Sequence, residues 1–190
     1  MAVPRQKPGT FTYADYLQWP EDERWELIDG VAYDMSPAPG RTHQRILGAL
    51  YRRISDVTDL SRCETYMAPF DVRFPEHDAA SEEEITTVVQ PDISVFCRPE
   101  RLDERGGRGA PDLVVEILSP STGYKDQTEK LGLYERHRVR EYWIVNPEAG
   151  YVIVFRLEED SPGARYGKPD YYRRGEEIES RVLNGAIPFD

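Results

Sequence analysis

Two periodicities alternate along the chain. Ile46, Leu47, Leu50, Tyr51, Ile54 and Val57 recur at helical spacing and predict an amphipathic helix over roughly 42–57, with Arg45, Arg52 and Arg53 on its polar face. Thr12 followed by Asp15 predicts a short helix start, with Tyr13, Tyr16 and Leu17 inward and Pro20 ending it. A third helix is expected from Thr122 to His137, with Ser121 or Thr122 near its cap and Tyr124, Leu131 and Tyr134 facing inward. Strands fill much of the rest. An Asp29-Gly30 pair between two apolar runs predicts a hairpin over Trp25–Tyr33, and Pro147–Gly150 predicts another between Glu141–Asn146 and Tyr151–Arg156. Short strands are expected near Cys63–Met67 and Phe70–Phe74 and in the segment from Tyr166 to Asp190. Val88–Phe96 and Asp112–Leu118 are rich in Val, Ile and Leu, which suits central strands buried on both faces. Between them, Arg98–Gly109 carries three glycines and several charges and reads as an exposed, mobile loop.

The order of elements, with a strand–helix–strand unit over Asp112–Asn146, predicts an α/β (α+β) fold built on a mixed sheet flanked by helices. The expected organisation is a flexible tail over 1–11 and a single domain over 12–190, a length that suits one core. No run approaches the roughly 20 apolar residues of a membrane span, so no membrane partner is expected. Met1–Thr10 carries Arg5 and Lys7 without an apolar stretch and does not read as a leader. Cys63 and Cys97 match neither a zinc spacing nor a redox motif, and two separate thiols in a reducing cytoplasm are expected. The net charge of −11 excludes a histone-like coat for nucleic acid, though not an enzyme with one local basic surface, such as the arginine-rich stretch Arg41–Arg62.

The chemistry concentrates in carboxylates placed inside apolar strands. Glu116 interrupts Leu113–Leu118, and Asp92 lies in Val88–Phe96. An ionised carboxylate there is costly unless paired, hydrogen-bonded or metal-bound. Either acid alone is explained by an arginine or backbone partner. Two on neighbouring strands would hold one hard cation, and Mg²⁺ suits one or two carboxylates completed by substrate phosphate.

Several blocks occur in this order: Glu26-Leu27-Ile28-Asp29-Gly30, His43-Gln44, Gln90-Pro91-Asp92-Ile93, Pro111 to Thr122, Asp126 with Lys130 and Tyr134, and Glu141 to Val145. On these the chain resembles the Uma-type family of restriction-endonuclease-like proteins, within the PD-(D/E)XK nuclease superfamily. The Pro-Asp-Leu-Val-Val-Glu-Ile-Leu-Ser-Pro-Ser-Thr block is the most specific part, and the resemblance runs from about Thr12 to the C-terminus. It implies a restriction-endonuclease-like core in which Asp92 and Glu116 are the two motif acids. The superfamily's lysine, two residues after the second acid, is here Leu118. The resemblance implies that Lys130, on the following helix, takes its place.

Glu26 is implied as a further metal ligand or supporting acid, against the alternative of a polar hairpin position. His43, Gln44 and Gln90 are candidates for contacting phosphate, water or a ligand; for His43, capping or packing is the alternative. Asp126 and Lys130 are also spaced for a helix-surface ion pair. Arg45, with its neighbours on the helix and with the Arg98–Arg108 loop, is a candidate for phosphate contact.

The expected activity is hydrolysis of DNA phosphodiesters by a Mg²⁺- or Mn²⁺-dependent endonuclease, with Lys130 stabilising developing charge. A homodimer is compatible with this reading. The rival is a catalytically silent binding or assembly module that keeps the fold, favoured by the acidic charge and by Leu118. A third option keeps the site but acts on a small phosphate ester.

Overall fold

The computed structural model describes residues 6–7, 10–20, 22–35, 38–119, 128–158, 163–183 and 185–190. The expected cap at Ser121 or Thr122, Tyr124 and Asp126 lie outside them. The first part of the chain carries β1 (Gln6–Lys7), α1 (Tyr13–Tyr16), β2 (Trp25–Ile28), β3 (Val31–Asp34), α2 (Arg41–Val57), β4 (Glu64–Met67) and β5 (Val72–Arg73). There follow β6 (Val88–Val89), β7 (Ile93–Phe96), β8 (Leu102–Asp103), β9 (Gly106–Arg108), β10 (Leu113–Ile117) and α3 (Glu129–Arg136). The last part adds β11 (Glu141–Asn146), β12 (Tyr151–Glu158), β13 (Arg165–Tyr166), β14 (Asp170–Arg173), β15 (Glu176–Glu179) and β16 (Ala186–Phe189).

Two mixed sheets result. The first runs β1-β3-β2-β6-β5-β9-β8; the second runs β13-β12-β11-β10-β7-β4, with β14 also on β12. A separate pair, β15-β16, packs through Ile178 and Ile187 into the core beside α2. β10 and β11 are parallel and joined through α3, as a crossover requires, whereas β7 and β12 flank them antiparallel. β10 alternates its faces. Leu113, Val115 and Ile117 meet Leu47, Leu50 and Ile54 of α2, whereas Val114 meets Leu133 and Tyr134 of α3. Each such buried side chain stabilises the fold by about 1.5–3 kcal/mol before entropy is counted. The Asp29-Gly30 turn forms with both residues at positive φ, 50° and 79°, as a two-residue hairpin turn demands.

The structure departs from the sequence expectations in four places. Val88–Phe96 is not one strand. Pro91 has no N–H to give a ladder, and the chain leaves the first sheet after Val89 and enters the second at Ile93. Gln90 and Asp92 thus lie at the junction between sheets.

The Arg98–Gly109 segment is not a mobile loop. It forms a 3₁₀ turn at Pro99–Arg101 and the β8–β9 hairpin. Its glycines serve close packing. A Cβ on Gly106 would lie 2.3 Å from the Asp71 carbonyl oxygen, and one on Gly107 would lie 2.3 Å from the Phe96 ring. Three of its arginines are occupied: Arg101 donates to the Ala110 carbonyl, Arg105 pairs with Glu82, and Arg108 donates to the Asp78 and Ala80 carbonyls.

Cys63 and Cys97 are joined in a disulfide, not separate thiols. The β4–β7 register pairs Glu64 with Phe96, so the next position on each strand brings the two sulfurs together, a relation invisible in their spacing of 34. Within the stretch read as a tail, Gln6–Lys7 pairs with Tyr33 and Ala32.

Candidate active site

The junction created at Pro91 gathers side chains from four elements. Glu26 on β2, Glu116 near the end of β10 and Lys130 in the first turn of α3 are each at most 4 % exposed. The Lys130 Nζ lies 2.7 Å from Glu116 Oε1 and 2.9 Å from Glu26 Oε1, so one ammonium bridges two carboxylates. α3 packs on the sheet face that carries Glu116, with Leu133 and Tyr134 against Val114, which lets Lys130 reach Glu116 although Leu118 holds the position two residues along. Tyr134, one helical turn after Lys130, donates its hydroxyl to the same Glu116 Oε1 at 2.8 Å.

Asp92 stands just before β7. The last β7–β10 pair is Ile93 with Val115, so the register sets Asp92 opposite Glu116. Its Oδ2 accepts the Ile117 backbone N–H at 2.7 Å and faces His43 Nε2 at 3.1 Å. His43 comes from the first turn of α2, which Gly40 opens. Gln90 joins the two halves: its backbone N–H donates to Glu26 Oε1 at 3.1 Å.

Gln44 and Arg45 do not join this cluster. Both are exposed, and Arg45 lines a separate cavity of about 490 Å³ with Arg53 and Arg174. Asp126 lies outside the described residues. Asp112, the other acid of the Pro-Asp block, binds the Cys97 N–H and lies near Arg98 and Arg140. Sequence reasoning missed Tyr134 as a site residue, though its i+4 spacing from Lys130 signals it. It also missed Arg24, Asp71 and Tyr16, which surround the Gln90 side chain. The available signal for Asp71 is a carboxylate set between Phe70 and Val72.

Among the described residues, no three of His, Cys, Asp and Glu lie close enough to hold a metal ion with protein ligands alone. Mg²⁺ is commonly held by one or two carboxylates with waters and phosphate completing its sphere. The donor set fits that pattern. Asp92 and Glu116 are hard oxygen ligands, and both contacts of Asp92 fall on Oδ2. Among the described residues, Glu26, Asp92 and Glu116 gather around Lys130, and a divalent cation would bring further positive charge to these acids.

Comparison with known proteins agrees with this architecture. A crystal structure from Anabaena variabilis, described as a "putative nuclease belonging to DUF820", superposes with a TM-score of 0.67 at 21% identity, covering 90% of this chain and 89% of that one. At that identity it shows the fold. An uncharacterised protein of Synechocystis sp. is 28% identical over 149 residues, 77% of this chain and 74% of that protein. A family model described as "Uma2: Putative restriction endonuclease" matches residues 13–187. With nearly the whole chain matched, the protein belongs to the Uma2 family of restriction-endonuclease-like proteins.

Proposed function

We propose that this protein is a divalent-metal-dependent endonuclease acting on DNA. The observation that carries the reading is the cluster in which carboxylates from β2 and β10 meet at the buried Lys130 ammonium, with Asp92 of the β6–β7 junction set opposite Glu116. Gathering acids and a lysine away from water is costly for folding and is characteristic of sites tuned for function. Family membership and the fold of the Anabaena protein support a nuclease.

In this reading Asp92 and Glu116 hold Mg²⁺ or Mn²⁺. When bound, the cation supplies Lewis-acid polarisation of the phosphate and activation of water. Lys130 then offers its ammonium to the charge that develops on the phosphate oxygens. Glu26 and Tyr134 act as positioning residues, Glu26 on the lysine and Tyr134 on Glu116. His43 orients the Asp92 carboxylate.

The test is cleavage of DNA by purified protein with Mg²⁺ or Mn²⁺, compared with Glu116→Gln prepared identically. Cleavage by the wild type that EDTA stops and Glu116→Gln lacks supports the proposal. Equal cleavage by both places the activity elsewhere. No cleavage across DNA and RNA panels leaves the silent binding module, the reading that the charge of −11 favours.

A further inference from the structure

The Gln90 side chain faces a second hollow that the mechanism above does not use. It is a cleft of about 850 Å³, within the range of small-molecule sites. Aromatic rings enter it from both sheets. Tyr16 and Trp19, from α1 and the turn after it, lie with centroids 5.5 Å apart, and Trp19 continues onto Trp25 of β2. From β4 and the turn beyond it, Tyr66 and Phe70 stack at 4.0 Å and 9°, forming a flat shelf.

Between these surfaces lies a polar group. Gln90 Nε2 donates to Asp71 Oδ1 at 2.9 Å and to the Tyr16 hydroxyl at 3.2 Å, and Gln90 Oε1 accepts from Arg24 at 2.9 Å. The Tyr16 hydroxyl in turn donates to Asp71 at 3.1 Å. The Arg24 Nε is buried without a hydrogen-bond partner among the described residues, a donor that an occupant would satisfy. The remaining charged lining residues, Glu23, Asp103, Glu104 and Arg105, are mostly acidic.

Acidic walls disfavour a phosphate, whereas flat aromatic faces favour a neutral planar ring. A carboxylate and a carboxamide beside those faces suit a ring that carries both donors and acceptors along its edge. Gln90 and Asp92 are two residues apart, so their Cα atoms are at most about 7 Å from one another and the cleft adjoins the proposed metal ligand.

We propose that this cleft takes one unpaired nucleobase of the strand whose phosphate lies at the Glu116 cluster. The proposal rests on reading that cluster as a nuclease centre, and it names the substrate as nucleic acid with at least one base out of its helix. Stacking is tolerant of base identity, because every base has a π-face.

The experiment measures binding by the full chain in EDTA, so that no cleavage intervenes. The probes are a short fluorescent oligodeoxycytidine and a strand of equal length that is abasic throughout, with the same phosphates. The base-bearing strand is expected to bind about tenfold tighter, or more, and to quench tryptophan fluorescence. In Tyr66→Leu and Phe70→Leu, each checked for a native circular dichroism spectrum, the preference is expected to shrink several-fold. If one variant does not fold, the other and the wild-type fluorescence still decide. Equal affinity for the two strands overturns the proposal, as does a preference left intact in a folded variant. A base preference in a protein that cleaves nothing keeps the cleft and removes the nuclease; cleavage without a base preference does the reverse.

Discussion

Asp112 and Glu141, at the starts of β10 and β11, are as deeply buried as Glu26 and Glu116: 3 % and 1 % exposed against 2 % and 4 %. Their surroundings differ. Asp112 accepts the Cys97 N–H at 2.8 Å and has Arg140 and Arg98 at 3.5 and 3.7 Å. Glu141 accepts from Trp143 Nε1, Ser180 Oγ and the Arg181 N–H, with Arg156 beside it. Each of these acids has a guanidinium and a backbone N–H of its own, and the Cys63–Cys97 disulfide closes the chain next to them. At the other end, Glu26 and Glu116 meet at the Lys130 ammonium, with the Gln90 N–H also on Glu26 and the Tyr134 hydroxyl also on Glu116, and Asp92 accepts the Ile117 N–H beside His43. Burial of an acid therefore does not mark function in this fold. The two ends differ in their partners: guanidinium groups stand beside Asp112 and Glu141, whereas Glu26 and Glu116 meet at a lysine.

The comparison predicts opposite outcomes for similar substitutions. Glu116→Gln is expected to lower DNA cleavage by more than about 10²-fold. Asp112→Asn is expected to leave the rate within a few-fold while lowering the melting temperature. Rates and thermal melts on matched preparations check both, and equal loss of activity would erase the distinction between the two ends.

Next in size is Lys130→Met. Removing one partner of a buried ion cluster leaves uncompensated charge and costs about 3–5 kcal/mol. Denaturant unfolding at neutral pH is expected to show that loss. It should narrow in Lys130→Met/Glu116→Gln, which restores part of the balance. A loss below about 1 kcal/mol would mean that Lys130 does not carry the burial of these acids.

A smaller effect is expected for Asp92→Asn. The amide keeps an oxygen acceptor for the Ile117 N–H, so stability should change by less than about 1 kcal/mol while cleavage disappears. A large stability loss would move Asp92 to the structural side of the comparison.

The two ends were unequally legible in the sequence. Local signals were sufficient for α2, for the Asp29-Gly30 hairpin and for the β11–β12 hairpin, because periodicity and turn chemistry act within a few residues. Glu116 and Asp92 were visible as charges inside apolar runs. Lys130, with Leu118 in the usual lysine position, needed the family pattern, since a lysine on a short helix reads equally as a surface residue. Tertiary pairing was not legible. The apolar run Val88–Phe96 hides the break at Pro91, and the Cys63–Cys97 bond depends on a register between distant strands. The glycines of 106–109 read as flexibility, when two of them are small because Asp71 and Phe96 press against them.

The mildest prediction concerns Asp71, which belongs to neither end. Burial raises its pKa, and the hydrogen bonds from Gln90 and Tyr16 only partly oppose this. An acid whose pKa is higher folded than unfolded favours folding most in its protonated form. Its contribution is fully present below the ordinary carboxylate pKa and is lost as pH rises through the folded value. Asp71→Asn removes this titration and keeps an oxygen to accept from Gln90 Nε2 and the Tyr16 hydroxyl. Melting temperatures of wild type and variant should therefore coincide in acid and separate as pH rises toward neutral, with the variant the more stable. The opposite sign would show Asp71 ionised and held by its donors. Asp71 would then count with the structural acids, and the polar group of the aromatic cleft would carry a fixed negative charge.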